Sequence, residues 1–189
     1  MSKQTKEEKA LLQQQKANVY RDRKRRLFYV DTKNDKYYRL SPQDEGFLYL
    51  HDSKILLAML PITISVLVNF NLLFVFAISF ILYVGVEVYY LYKRKDLNEA
   101  SVLPESVMEQ MMSQQVLKAR RTDLFLKFSM VILIIMLMVS EVIENKIALN
   151  AFNTTTVGIY LILAFTLYIA VDLWRSYYRN QKLIKQIKE

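Results

Sequence analysis

The chain has 189 residues, of which 53% are hydrophobic and 23% charged, with no cysteine and one histidine. This composition excludes a disordered chain, a disulfide scaffold, and any site that needs a thiolate or two imidazoles. The net charge of +8 and the mean hydropathy of +0.11 average over very apolar runs and strongly basic ends.

The polar N-terminal segment, residues 1–53, contains the first predicted elements. Helix-forming residues with few apolar side chains predict a polar helix over 3–19. Residues 26–40, RLFYVDTKNDKYYRL, place aromatic and β-branched runs on both sides of a turn-rich stretch, which predicts a β-hairpin. A lone hairpin is marginally stable. It therefore needs a surface, which is the membrane face, the link 93–123 or a partner protein. Its aromatic residues are a candidate partner surface: Tyr29, Tyr37 and Tyr38.

A juxtamembrane helix is predicted to follow the hairpin. Ser41 is a good N-cap, Pro42 suits a first turn, and Asp44 follows three residues after Ser41. We expect this helix to carry its apolar residues toward the membrane and to lead into the first span: Phe47, Leu48 and Leu50.

Four apolar runs then predict an all-α integral membrane protein with four transmembrane helices arranged as two hairpins. A helix needs about 20 residues to cross a bilayer. The first run is short, and we expect residues 51–54 to extend its helix. A soluble bundle is disfavoured because stretches such as 130–139, MVILIIMLMV, have no polar face. The runs are Ile55–Phe70, Leu72–Tyr92, Leu124–Ile143 and Thr156–Trp174.

The basic residues predict the orientation. Of 26 lysines and arginines, 24 lie in residues 1–54, 93–123 and 175–189. The positive-inside rule places both termini and the link in the cytoplasm, in our prediction at a bacterial cytoplasmic membrane. The basic run 21–26 is interpreted as an orientation signal and a contact for the anionic inner leaflet. No nucleic-acid partner is expected, because no stacking platform or binding motif accompanies these charges.

The predicted segments are therefore the N-terminal segment 1–53, a first transmembrane hairpin 54–92, a cytoplasmic link 93–123, a second hairpin 124–174 and a tail 175–189. The link contains an amphipathic helix that begins near Pro104. Its methionines suit a variable partner, although they can equally lie on the bilayer or the bundle: Met108, Met111 and Met112. The last span is predicted to continue into the tail as an amphipathic interfacial helix.

Two segments resemble each other and suggest a parallel internal repeat. Residues 80–87 read FILYVGVE and residues 165–172 read FTLYIAVD, so that four of eight positions are identical. Tyr83 and Glu87 correspond to Tyr168 and Asp172. Two hairpins that both enter from the cytoplasm would be related by a pseudo-twofold axis along the membrane normal.

Each hairpin also offers a lysine opposite an acid. Lys54 and Glu87 each lie 16.5 positions from the midpoint between residues 70 and 71, and Lys127 and Asp172 each lie 22.5 positions from the midpoint between residues 149 and 150. Equal distances along antiparallel helices mean equal depth. We therefore predict two intramembrane charge pairs, which either lock the hairpins or belong, with Tyr83 and Tyr168, to a polar binding site.

These patterns favour a non-enzymatic accessory, adaptor or regulatory subunit of a membrane complex, with a membrane-protein partner or a second copy of itself. The alternative is a small oligomeric transporter or channel that uses Glu87 and Asp172. An enzyme acting on lipid headgroups is a weaker third candidate. Common hydrolase and nucleotide-binding motifs are missing from the sequence. We therefore expect no catalytic residues, no cofactor and no metal.

Overall fold

A computed structural model describes residues 14–15, 17–32, 34, 36–68, 71–144 and 153–186. It is mostly helical, with a small antiparallel sheet. The chain divides into two compact units. The sheet unit consists of Met1–Asp52, Tyr89–Asp123 and Tyr178–Glu189, and the bundle unit consists of Ser53–Val88 and Leu124–Tyr177.

The sheet has four antiparallel strands in the order β1-β2-β3-β4: β1 (Val19–Arg21), β2 (Leu27–Asp31), β3 (Lys36–Leu40) and β4 (Asn98–Glu99). Strands β2 and β3 pair from Leu27 opposite Leu40 to Asp31 opposite Lys36. The predicted hairpin over 26–40 is confirmed.

The hairpin is not alone: a further strand pairs with each of its edges, and one of the two strands comes from the link, which is one of the three surfaces expected for the hairpin. Strand β1 pairs with β2 and falls at the end of the stretch predicted to be helical over 3–19. Most of that stretch, residues 1–13 and 16, lies outside the described residues. Strand β4 comes from the link and pairs with β3. The added strands supply the ladder and the packing that a two-stranded ribbon lacks.

The helices whose bounds lie within the described residues are α1 (Glu45–Asp52), α2 (Lys54–Val68), α3 (Leu72–Lys95), α4 (Glu105–Met111), α5 (Gln114–Glu144) and α6 (Thr154–Gln186). Helices α5 and α6 are longer than the apolar runs that predict them. Helix α5 begins within the link, and α6 continues from the last span into the tail as far as Gln186, as expected from the sequence.

Both faces of the sheet are covered. Alternate side chains of a strand point to opposite faces. Leu27 and Tyr29 therefore pack with Phe47 and Leu48 of α1, whereas Phe28 and Val30 pack in a second cluster with α4 and the start of α5.

This packing corrects the predicted partner surface. Tyr29 and Tyr38 are buried, with their rings stacked at a centroid distance of 6.1 Å, because they belong to the core of the sheet unit. Tyr37 and Met111 are partly buried against the second cluster. Met108 and Met112 remain exposed. Buried tyrosines offer no surface to a partner.

The juxtamembrane helix forms, with three corrections. Ser41 is not its N-cap: Asp44 Oδ2 accepts hydrogen bonds from the Ser41 amide at 2.9 Å and from Ser41 Oγ at 2.7 Å, and the helix itself begins at Glu45. Phe47 and Leu48 are directed to the sheet core and not to the membrane, and only Leu50 is exposed. The helix breaks at Ser53 and bends by 47° before α2, so residues 51–54 do not extend the first span as one straight helix.

The bundle unit has a core built from all of its helices. Representative core residues are Met59 of α2, Val75 of α3, Val131 of α5 and Ile162 of α6. The outside of this unit is also apolar. Of the 18 most hydrophobic consecutive residues of α3, only 11% are buried, and Ile81 on that helix is 67% exposed. Water disfavours such a surface, whereas lipid does not.

Three helices, α3, α5 and α6, are long and apolar enough to cross a membrane, and the bent pair of α1 and α2 together passes the same test. We conclude that the chain is an integral membrane protein. The soluble-bundle alternative is not supported.

Two glycines within the apolar helices give a matched test of packing. A Cβ at Gly158 would lie 2.8 Å from the Leu73 backbone nitrogen, whereas a Cβ at Gly85 would have nothing within 4 Å. Gly158→Ala should destabilise the bundle by roughly 1–3 kcal/mol through overpacking. Gly85→Ala should be neutral or slightly stabilising. Thermal unfolding in mild detergent measures both, and equal effects of the two substitutions would contradict this packing.

Asp22, in the turn between β1 and β2, is expected to make the folded chain less stable at low pH. Hydrogen bonds from Ser106 Oγ at 2.7 Å and from Arg26 at 2.8 Å lower the pKa of Asp22 to about 2. Because the folded pKa lies below the unfolded value, the contribution of Asp22 is complete above about pH 4 and is lost as the pH falls toward 2.

The measurement is the unfolding temperature between pH 2 and 6. Asp22→Asn should remove this part of the pH dependence, and Ser106→Ala should move it to higher pH because it removes the first donor. An acid profile of Asp22→Asn identical to that of the parent chain would contradict the assignment.

Candidate functional site

The bundle unit contains a charged layer in which Lys54 lies at the start of α2 and Glu87 lies on α3. Lys54 Nζ donates a hydrogen bond to Glu87 Oε2 at 2.5 Å. The Lys54 side chain is 11% exposed and that of Glu87 is 37% exposed. The two residues that the sequence places at equal depth in the first hairpin are thus in direct contact. The ammonium is the more buried of the two charges.

Tyr83 completes this arrangement. Tyr83 and Glu87 are four residues apart on α3 and share a helix face. Lys54 Nζ lies 5.0 Å from the centroid of the Tyr83 ring, within cation–π range. The lysine thus contacts both a carboxylate and an aromatic face, and these contacts offset part of the cost of holding an ammonium away from water.

The second predicted charge pair, Lys127 and Asp172, also lies in the bundle unit. Lys127 on α5 is 7% exposed and Asp172 on α6 is partly buried. A buried lysine strongly favours a nearby acceptor. Direct pairing of Lys127 with Asp172 stays a prediction.

Tyr83, in the first repeat segment, also packs against the second repeat segment. Its hydroxyl interacts electrostatically with Tyr168, Asp172 and Glu87. Its ring packs edge-on against Phe165 of α6, with centroids 5.4 Å apart. The polar groups of α3 and α6 therefore lie in one region of the bundle.

The two repeat segments nevertheless have different surroundings. Tyr83 is half-buried, whereas the corresponding Tyr168 is exposed. Phe80 is exposed, whereas the corresponding Phe165 is buried. A twofold axis would give equivalent positions equivalent burial, so the repeat stays a prediction.

Sequence reasoning missed a set of contacts in the sheet unit that fixes the end of α3. The hydroxyls of Tyr29 and Tyr90 are 2.8 Å apart, and Arg94 donates a hydrogen bond to buried Asp31 at 2.8 Å. The His51 ring stacks on Tyr90 at 3.9 Å. Burial, followed by the proximity of Tyr90, raises the pKa of Tyr29 well above its usual value. Only the spacing of Tyr90 and Arg94, one helical turn apart, hinted at this in the sequence.

Within residues 14–15, 17–32, 34, 36–68, 71–144 and 153–186, no group of three or more His, Asp or Glu side chains is arranged to hold a metal ion. The polar residues described in the bundle unit include the Lys54–Glu87 ion pair beside the Tyr83 ring.

The Lys54–Glu87 pair can be tested by a double-mutant cycle. Removing one partner of a buried pair costs about 3–5 kcal/mol, and replacing both can be neutral. We expect a smaller cost here, because Glu87 is partly hydrated. Glu87→Leu should destabilise more than Lys54→Leu, since it strands the more buried charge, and the double substitution should recover most of the loss. The unfolding temperature in detergent measures all three, and strictly additive losses would contradict the pairing.

Comparison with known proteins adds no relative to this description. No family model, no curated protein and no solved structure matches the chain. A functional proposal therefore depends on the contacts and surfaces of the chain itself.

Proposed function

We propose that this chain is a non-enzymatic, four-span subunit of a membrane complex, whose sheet unit is the docking module on the cytoplasmic side. The lead observation is that Glu87, the acid of the second span, is paired with Lys54 of its own hairpin at 2.5 Å. An acid that already has its counter-ion stabilises the hairpin and is poorly suited to bind a passing cation.

The makeup of the sheet unit supports four spans. Strand β3, before the first hairpin, pairs with β4, which follows it, as Tyr38 lies opposite Glu99. A sheet forms on one side of a membrane, so an even number of crossings separates these strands. Helix α3 is apolar enough to be one crossing, and the α1–α2 pair is the candidate for the other.

The same constraint applies to the second hairpin. Asn180 of the tail donates a hydrogen bond to the Leu117 carbonyl of the link at 3.0 Å. Helices α5 and α6 lie between these contacts and supply two crossings. Both termini and the link then share one side, and the positive-inside rule makes it the cytoplasm.

A partner surface on the sheet unit follows from its exposed apolar residues. Val102, in the loop before α4, is 78% exposed, and Met108 and Met112 are exposed at the other end of that helix. Methionine adapts to varied partners. We assign docking to this part of the link, in place of the buried Tyr29 and Tyr38.

Topology can be tested with single cysteines, because the chain has none of its own. Glu109→Cys in the link should be protected from an impermeant thiol reagent in intact cells, and Thr155→Cys at the start of α6 should react. Both positions are exposed, so burial does not explain a difference. Reaction of Glu109→Cys from outside would overturn the four-span proposal.

Docking can be tested by recovery of partners in mild detergent. Met108→Lys with Met112→Lys should reduce the recovery of a stoichiometric membrane partner at least several-fold, because charge is depleted at interface cores. Gln115→Lys, at an exposed polar position, is the matched control and should have no effect. Equal recovery with all variants would contradict docking through α4.

Transport is the second candidate, favoured by the convergence of Glu87, Tyr168 and Asp172 around Tyr83. The double substitution Lys54→Leu with Glu87→Leu separates the two proposals. A subunit role predicts a stable variant that still binds its partner. A transport role predicts a stable variant that has lost ion or proton flux in reconstituted vesicles.

A further inference from the structure

A cleft of about 260 Å³ lies in the sheet unit between α1 and the last turns of α3. Its walls combine apolar, aromatic and oppositely charged side chains. Six residues that line it are Gln43, Asp44, Phe47, Leu50, Tyr89 and Lys93. This volume is below the range of about 300–1,000 Å³ typical of drug-sized ligands, so it suits a small polar group.

The cleft is formed where two span helices leave the apolar region. Tyr89 and Lys93 lie in the last two turns of α3, directly after its hydrophobic stretch. Leu50 lies four residues before Lys54, where α2 begins. Tyrosine and lysine are typical of the membrane–water interface, where a ring meets the headgroups and an ammonium reaches water. The neighbouring solvent is therefore the headgroup layer, if the proposed topology is correct.

The two charges define the chemistry of the ligand. A simple anion would contact Lys93 but would be repelled by Asp44. A simple cation would contact Asp44 but would be repelled by Lys93. A group that has both a phosphate and an ammonium satisfies both residues. Leu50 and Tyr89, both exposed, offer apolar surface to the glycerol and upper acyl carbons of a lipid.

Asp44 is held in position for this role. Its Oδ2 atom accepts the two hydrogen bonds from Ser41, which fix the carboxylate at the start of α1. An ionised carboxylate has two oxygens and about four acceptor positions. Its second oxygen can therefore accept an N–H of a ligand while the two hydrogen bonds from Ser41 stay in place.

We propose that the cleft binds the phosphoethanolamine headgroup of a membrane phospholipid, with the phosphate at Lys93 and the primary ammonium at Asp44. This goes beyond the subunit function and rests only on the membrane placement of the chain. A protein partner would need about 800 Å² of surface on each side, and a headgroup does not.

The experiment measures lipid retention on the purified full chain in mild detergent, by native mass spectrometry and by the shift of the unfolding temperature. Three lipids with identical acyl chains are compared: phosphatidylethanolamine, phosphatidylglycerol and phosphatidylcholine. Phosphatidylglycerol has no ammonium, and the quaternary ammonium of phosphatidylcholine has no N–H to donate. We expect phosphatidylethanolamine to bind about tenfold more tightly than either, as charge-assisted hydrogen bonds allow.

Three variants identify the residues. Asp44→Asn keeps an acceptor for Ser41 but removes the charge, and it should abolish the preference for phosphatidylethanolamine. Lys93→Gln should weaken binding of all three lipids. Lys95→Gln, an exposed lysine of the same helix that does not line the cleft, is the matched control and should change nothing. The unfolding temperature without added lipid shows whether each variant folds.

These lipid-binding measurements test the cleft separately from the proposed subunit function, because the purified chain has no protein partner present. Equal binding of the three lipids, or an effect of Lys95→Gln as large as that of Lys93→Gln, would overturn it. If Asp44→Asn fails to fold, the Lys93→Gln comparison still decides. Soluble phosphoethanolamine as effective as the lipid would reassign the cleft to a soluble ligand and overturn the lipid source.

Discussion

The antiparallel sheet imposes the constraint on which the proposed topology depends. Its strands come from the N-terminal segment and the link, which are separated in sequence by apolar helices. Backbone hydrogen bonds between β3 and β4 cannot form across a bilayer, because paired strands lie about 4.8 Å apart whereas the hydrocarbon core is about 30 Å thick. The sheet therefore determines which topologies are possible for a chain whose hydropathy alone leaves α2 uncertain.

Charge within the apolar helices follows a second physical rule. Lysine and glutamate are costly in a low-dielectric environment unless they are paired, and the Lys54–Glu87 contact provides that pairing near the ends of their helices. The face of Tyr83 adds a further favourable contact for the ammonium. A neutral pair of this kind locks a hairpin at low cost. Its neutrality is what weighs against a transport site at Glu87 and in favour of a structural one.

The class of protein and several local elements follow from the sequence alone. Uniformly apolar stretches of about 20 residues predict membrane spans, the alternation of aromatic and β-branched residues over 26–40 gives a hairpin, and the turn-forming residues 41–44 precede a helix. The Lys54–Glu87 contact followed from equal spacing about the midpoint between residues 70 and 71, because antiparallel helices of equal rise bring such positions to one depth. All of these depend on periodicity or on neighbours in the chain.

Which aromatic residues are core and which are surface depends on packing between distant parts of the chain. In the sequence, Tyr29 and Tyr38 suit a partner surface, but in the structure β1, α1 and the end of α3 pack against them. No local sequence pattern predicts the contact between residues 29 and 90. Strand β4 has only two residues, too few for propensity to register, and exists because β3 offers it an edge. The same holds for the cleft between α1 and α3, since Asp44 and Lys93 become neighbours only when the two helices pack. Burial and pairing between distant residues depend on how the whole chain packs, so local sequence patterns do not reveal them.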